Sequence, residues 1–153
     1  MIAGICAEIE QRKHEDSDEW VSTIYFGGGT PSLLKQKELK LIFETLRKNY
    51  KINPEAEITL EANPDDISTE ILKIWEEAGI NRLSVGLQSF RPEDLKWMNR
   101  AHNATESKRS IEMVKALGVH SLSIDLIYGL PNLPLKDWDV QIQSVIDYGV
   151  DHI

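Results

Sequence analysis

A chain of 153 residues is long enough for one domain with a core of its own. Its 41% hydrophobic and 27% charged residues are ordinary for a soluble globular protein, and no apolar run approaches the ~20 residues that span a bilayer. With 17 basic against 25 acidic side chains the net charge is -8, and no local basic patch offsets it, so a nucleic acid partner is set aside.

The first element is a helix whose face carries Ile2, Ile5, Cys6 and Ile9. Its apolar part is too short, and turns acidic too soon, for a signal peptide, so a cytoplasmic location is expected. The acidic run from Glu15 to Glu19 is expected to be a solvated loop. A strand near Thr23 to Phe26 then enters three glycines, and Leu39, Ile42, Phe43, Leu46 and Tyr50 fall on one side of the next helix. After a strand from Glu57 to Glu61, Ser68 is placed to cap a helix with Ile71, Leu72, Trp75 and Ala78 facing inward. A strand from Arg82 to Leu87 follows, and Pro92 opens a short helix with Leu95 and Met98. Next come a helix with Ile111, Val114 and Leu117, a strand from Ser121 to Ile127, a helix from Lys136 to Tyr148, and the start of a strand at Val150. Trp75, Trp97 and Trp138 are expected to pack helices, and Trp20 to pack where the first strand begins.

Gly79, Gly118 and Gly149 each close a helix just before a strand, 39 and 31 residues apart (118 minus 79, 149 minus 118). Repeated helix-strand units of this kind build parallel sheets. The strand begun at Val150 is cut short and the first helix has no strand before it, so the chain is expected to be an internal piece of a longer barrel. Open edges of such a piece predict marginal stability or self-association.

Two signals bear on chemistry. The first is Tyr25-Phe26-Gly27-Gly28-Gly29-Thr30-Pro31-Ser32, which is either a plain turn or a cradle for an anion or cofactor. It is neither a Walker A loop nor a GxGxxG fingerprint. The second is a polar residue after each successive strand: Glu61 with Asn63, Gln88 with Ser89, and Asp125. Ligands bind at that carboxyl end in parallel α/β sheets, although each residue singly also suits a strand-end turn. Arg100 could hold a carboxylate or be a solvated helix-end cation. His102 suits a hydrogen-bonding role better than metal ligation, since no second ligand stands at a suitable spacing. Cys6 reads as a small packing residue, and one cysteine can hold neither zinc nor an iron-sulfur cluster.

Taken in order, YFGGGTPSLL, EITLEANPDDI, INRLSVGLQSF, MNRAH and SIDLIYGLP resemble the radical S-adenosylmethionine domain of the oxygen-independent coproporphyrinogen III oxidase and HemW family. The resemblance covers nearly the whole chain, and Arg100-Ala101-His102 is closer to the HemW, or heme chaperone, branch. It implies an α/β fold, a partial TIM-like (β/α)6 barrel of parallel strands truncated at both ends. It further implies that the backbone of Gly28 and Gly29 with Thr30 holds the methionine amino group, and that Glu61, Gln88, Arg100 and Asp125 line the S-adenosylmethionine pocket. The family's CxxxCxxC loop, which binds a 4Fe-4S cluster, is absent, and Cys6 is not one of its ligands. Asn132-Leu133-Pro134 also departs from the glutamine-containing loop common in the family.

The implied function is that of a piece of a radical protein of porphyrin metabolism, oxidase-like in the first instance, with porphyrin or heme as partner of the whole protein. A heme chaperone is the alternative, and an unrelated phosphate-binding barrel enzyme is a third reading supported by the Gly-rich turn alone.

Overall fold

The computed structural model describes residues 1–15 and 19–153, so most of the expected acidic loop, residues 16–18, lies outside the described residues. Four strands, β1 (Trp20–Phe26), β2 (Lys51–Ala62), β3 (Arg82–Gln88) and β4 (Ser121–Leu126), form one sheet. They are parallel and pair in chain order, β1-β2-β3-β4. Among the described residues six α-helices flank and connect them: α1 (Ile2–Arg12), α2 (Gln36–Asn49), α3 (Thr69–Ala78), α4 (Pro92–Trp97), α5 (Ala104–Ala116) and α6 (Leu135–Asp147). Among the described residues no helix is long and apolar enough to cross a membrane.

The period of two along each strand sorts the side chains. Ile58, Leu60, Leu83, Val85, Leu87, Leu122 and Ile124 join Leu39, Phe43, Leu72, Trp75, Ile111, Val114 and Val145 in one core between sheet and helices. The alternate positions carry Tyr25, Glu61, Ser84, Gln88 and Asp125, so the opposite face is polar. Local signals agree with this layering. Ser68 caps α3 by accepting the Ile71 N–H at 3.2 Å, and Gly79 closes that helix at φ 100°. Gly118 and Gly149 also have positive φ, as helix-ending glycines should.

Three expectations are corrected. Strand β2 begins at Lys51 rather than Glu57, because the pairing with β1 resumes across an irregularity that accommodates Pro54, which has no N–H to donate. The strand expected from Val150 is a single parallel bridge between His152 and Ser123. Trp97 and Trp20 are not packed: they are 65% and 60% exposed, whereas Trp75 is buried as expected. Trp97 ends a helix of six residues, too short to turn every apolar side chain to the core.

Candidate functional site

The strands run in the same direction, and their carboxyl ends together build a cleft. Strand β1 runs into Gly27, where an added Cβ would stand 2.7 Å from the Tyr25 ring and 3.0 Å from Glu61 Oε1. Gly28 and Gly29 follow at φ 76° and 66°, a conformation that side chains resist. Glu61 ties this turn to β2: its Oε2 accepts the Gly28 N–H at 3.1 Å and its Oε1 the Tyr25 hydroxyl at 3.0 Å. Behind it, Ser32 donates to Asp66 Oδ2 at 2.6 Å, joining the turn to the segment after β2.

Strand β3 is irregular near its carboxyl end. Its pairing with β4 shifts between Val85 and Gln88, and Gln88 has φ 70°. Gly86 leaves room for this, since a Cβ there would meet Gln88 Nε2 at 2.7 Å. Arg100 reaches over from the segment after α4 and donates to Asn63 Oδ1 at 2.8 Å and to the Gly86 carbonyl at 3.2 Å. It is therefore not a solvated helix-end cation. At the end of β4, Asp125 accepts from the Ser84 hydroxyl at 3.4 Å.

Six of the seven residues singled out in the sequence, Gly29, Thr30, Glu61, Gln88, Arg100 and Asp125, line this one cleft of about 150 Å³, together with Asn63, Ser84 and Gly86. The seventh, Gly28, lines an adjoining, more apolar groove of about 380 Å³ with Tyr25, Phe26 and Leu34, and its N–H is engaged by Glu61. Both spaces meet at the glycine turn. The cleft alone is smaller than the ~300–1,000 Å³ typical of small-molecule sites, so a nucleoside-sized ligand would extend beyond it.

Partial burial pushes the Asp125 carboxyl above the usual carboxylate range; Ser84 opposes this by hydrogen bonding, Glu61 adds repulsion, and Arg82 offsets it in turn. Burial also raises the Tyr25 phenol, with the Glu61 hydrogen bond and charge adding to the effect. The cleft thus concentrates two carboxylates, Glu61 and Asp125, against the one guanidinium of Arg100.

Reasoning from sequence missed Tyr25 and Ser84, although strand alternation puts Ser84 on the face of Gln88. It also missed a buried network beneath the cleft, in which the Ser89 hydroxyl lies 2.7 Å from both Asp94 Oδ2 and Gln141 Oε1. His102 is buried with Nε2 3.1 Å from the Leu87 carbonyl, the hydrogen-bonding role expected of it. Among the described residues no three His, Cys, Asp or Glu side chains gather to hold a metal ion, and Cys6 stands apart on α1.

A family model described as the Radical SAM superfamily matches residues 5–142. The chain is 33% identical over 153 residues to the heme chaperone HemW of Haemophilus influenzae, covering all of this chain and 40% of that protein. It is 36% identical over 133 residues to HemW of Escherichia coli K12, covering 87% of this chain and 35% of the relative. Among solved structures it resembles the coproporphyrinogen III oxidase HemN of Escherichia coli, a radical SAM enzyme, with a TM-score of 0.87 and 30% identity over 97% of this chain and 34% of that one. An archaeal Elp3 shares the fold alone, with 19% identity over 93% of this chain and 37% of that one, at a TM-score of 0.70. These likenesses bear out the expected fold class, a partial TIM-like (β/α)6 barrel of parallel strands. The chain spans about two fifths of the length of the curated relatives it matches.

Proposed function

The chain belongs to the Radical SAM superfamily, and we propose that its cleft binds S-adenosylmethionine within a protein of porphyrin or heme metabolism. Proteins of this superfamily use S-adenosylmethionine with a 4Fe-4S cluster. The observation that carries the reading is the convergence of Glu61, Gln88, Arg100 and Asp125, from three strands and a loop, on one cleft beside a positive-φ glycine turn.

The residues fit the ligand chemically. S-adenosylmethionine has a sulfonium and an ammonium group against one carboxylate, and the cleft answers with two carboxylates and one guanidinium. Arg100 would pair with the ligand carboxylate, while Glu61 and Asp125 would take the ammonium group or ribose hydroxyls. Gly28 and Gly29 would let the ligand approach the backbone, with carbonyl groups rather than the engaged Gly28 N–H facing the ammonium group. In proteins of this family bound S-adenosylmethionine supplies radical chemistry at the cluster. The residues of this chain do not fit the cluster itself: Cys6 is the single cysteine, and no triad of ligands gathers among the described residues. Its thiolates would come from outside these 153 residues.

Two branches are open to the whole protein. The named relatives at 33% and 36% identity favour a heme chaperone, which would bind and deliver heme. The likeness to HemN favours oxygen-independent oxidation of coproporphyrinogen III. Family membership removes the unrelated phosphate-binding barrel. A cytoplasmic location belongs to the same proposal. So does self-association of the isolated chain, supported by Trp20 and Tyr25, 60% and 57% exposed on edge strand β1; a sedimentation coefficient that stays constant with concentration would count against it.

The deciding experiment uses the intact protein, purified and reconstituted without oxygen. Calorimetry with S-adenosylmethionine reads the cleft, and absence of heat at any ligand concentration would overturn the proposal. Heme binding without decarboxylation assigns the chaperone branch, and decarboxylation of coproporphyrinogen III assigns the oxidase.

A further inference from the structure

The irregular end of β3 leaves a problem that a residue outside the proposed ligand set solves. Where the pairing with β4 shifts, between Val85 and Gln88, Gly86 and Leu87 stand without a register partner on β4, and their carbonyls meet side chains from another segment. A buried carbonyl without a donor is destabilising, and Leu87 is fully buried. Both are satisfied from a single stretch of three residues. Arg100 donates to the Gly86 carbonyl, and His102 Nε2 stands 3.1 Å from the Leu87 carbonyl, so Nε2 carries the proton.

Each of the two side chains also reaches the segment after β2. Arg100 donates to Asn63 Oδ1, and His102 Nδ1 lies 3.4 Å from Asp65 Oδ1, outside hydrogen-bonding geometry. Groups facing both ring nitrogens are acceptors, a carbonyl and a carboxylate, so the position calls for a donor. The His102 side chain is wholly buried and is itself anchored. It directly precedes Asn103, which caps α5 by accepting the Thr105 and Glu106 N–H groups while Glu106 accepts the Asn103 N–H in return.

We propose that His102 is a positioning residue: by holding the Leu87 carbonyl beside Asp65, it fixes the left-handed turn that aims Gln88 into the cleft. Gln88 has φ 70°, a conformation that a non-glycine residue keeps only when its surroundings hold it. Its carbonyl in turn accepts the Ile127 N–H at 2.9 Å, so the turn also sets the segment after Asp125. The role rests on the reading of the cleft as an S-adenosylmethionine site.

The test compares His102→Phe, which keeps a ring and removes the donor, with His102→Gln, which keeps an N–H donor, in the intact protein. Ligand affinity is measured by calorimetry well below each variant's melting temperature, and hydrogen exchange of the Ile127 amide is followed without ligand. His102→Phe is expected to bind S-adenosylmethionine about tenfold more weakly and to exchange Ile127 faster, with His102→Gln restoring most of both. A residue that only fills space would lower the melting temperature and leave the affinity of the folded protein unchanged. Wild-type affinity in His102→Phe would overturn the proposal. If wild type itself binds no S-adenosylmethionine, the reading of the cleft falls, and the Ile127 amide decides alone: faster exchange in His102→Phe but not in His102→Gln sustains the role, and equal exchange ends it. Should His102→Phe fail to fold, the same two measurements on His102→Gln and Asp65→Asn decide: both retain near-native values if donation to Leu87 is what matters, and loss in His102→Gln overturns the proposal.

Discussion

Asn81 offers the most direct test of how the sheet keeps its register. It lies one residue before β3, yet its side chain acts as an extra rung of the β2–β3 ladder. Oδ1 accepts the Ile58 N–H at 2.7 Å and Nδ2 donates to the Ala56 carbonyl at 2.9 Å. The Asn81 backbone is engaged as well, with its N–H on the Ile58 carbonyl and its carbonyl accepting from Ser121. Replacement by alanine leaves the backbone bonds but orphans one donor and one acceptor on residues that are 9% and 3% exposed. At ~1–3 kcal/mol for each unsatisfied buried group, less where water enters the space vacated, Asn81→Ala should cost about 2–4 kcal/mol. With a urea slope of ~2 kcal/mol per molar, the unfolding midpoint falls by about 1–2 M. Asn81→Asp keeps the acceptor for Ile58 but turns a carboxylate towards the Ala56 carbonyl. It should be destabilised at neutral pH and recover as the new carboxyl is protonated. A midpoint for Asn81→Ala within ~0.2 M of wild type would refute the reasoning, because the slope converts that to only a few tenths of a kcal/mol.

Other expectations concern the cleft. Glu61→Gln removes a charge and places an amide against the Tyr25 hydroxyl or the Gly28 N–H, so S-adenosylmethionine affinity by calorimetry should fall about tenfold, and Tyr25→Phe should have a smaller effect. Gly28→Ala and Gly29→Ala meet no steric obstacle and should each lose ~1–2 kcal/mol in urea unfolding through backbone strain alone, whereas Gly27→Ala drives a Cβ into the Tyr25 ring and should also weaken ligand binding. The Asp125 carboxyl is raised in the folded chain, chiefly by burial, so its ionised form opposes folding above that raised value and the opposition is gone below the ordinary aspartate range. Asp125→Asn should therefore raise the melting temperature of the ligand-free protein at neutral pH and leave it unchanged in acid, while ligand affinity falls.

Much of the architecture was readable because it rests on local rules. Period-two runs such as Leu83, Val85 and Leu87 mark a strand face, and Gly79, Gly118 and Gly149 mark helix ends through a conformation that glycine adopts freely. The cleft was readable for a topological reason: in a parallel sheet all carboxyl ends lie on one side, so Glu61, Gln88 and Asp125 had to converge once their strands were placed. What escaped was non-local. Gln141 pairs with Ser89 across 52 positions, and nothing in the pattern around α6 distinguishes it from a solvated glutamine. Lys51 to Ala56 escaped because Pro54 argues against a strand unless the neighbouring strand is known to bulge around it. Arg100 was left between two roles because only the fold shows that Asn63 and the Gly86 carbonyl stand within its reach.

The sequential order of the strands has a consequence for biosynthesis. Because β1, β2, β3 and β4 pair in the order in which they are made, the ribosome delivers each strand next to a template already in place. The cleft nevertheless stays incomplete until Asp125 emerges, 64 residues after Glu61 (125 minus 61). At ~5–20 residues per second this is an interval of about 3–13 seconds. During it the nascent chain displays the glycine turn and the Glu61 carboxylate without the far wall of the cleft, so a ligand that needs both walls waits for β4.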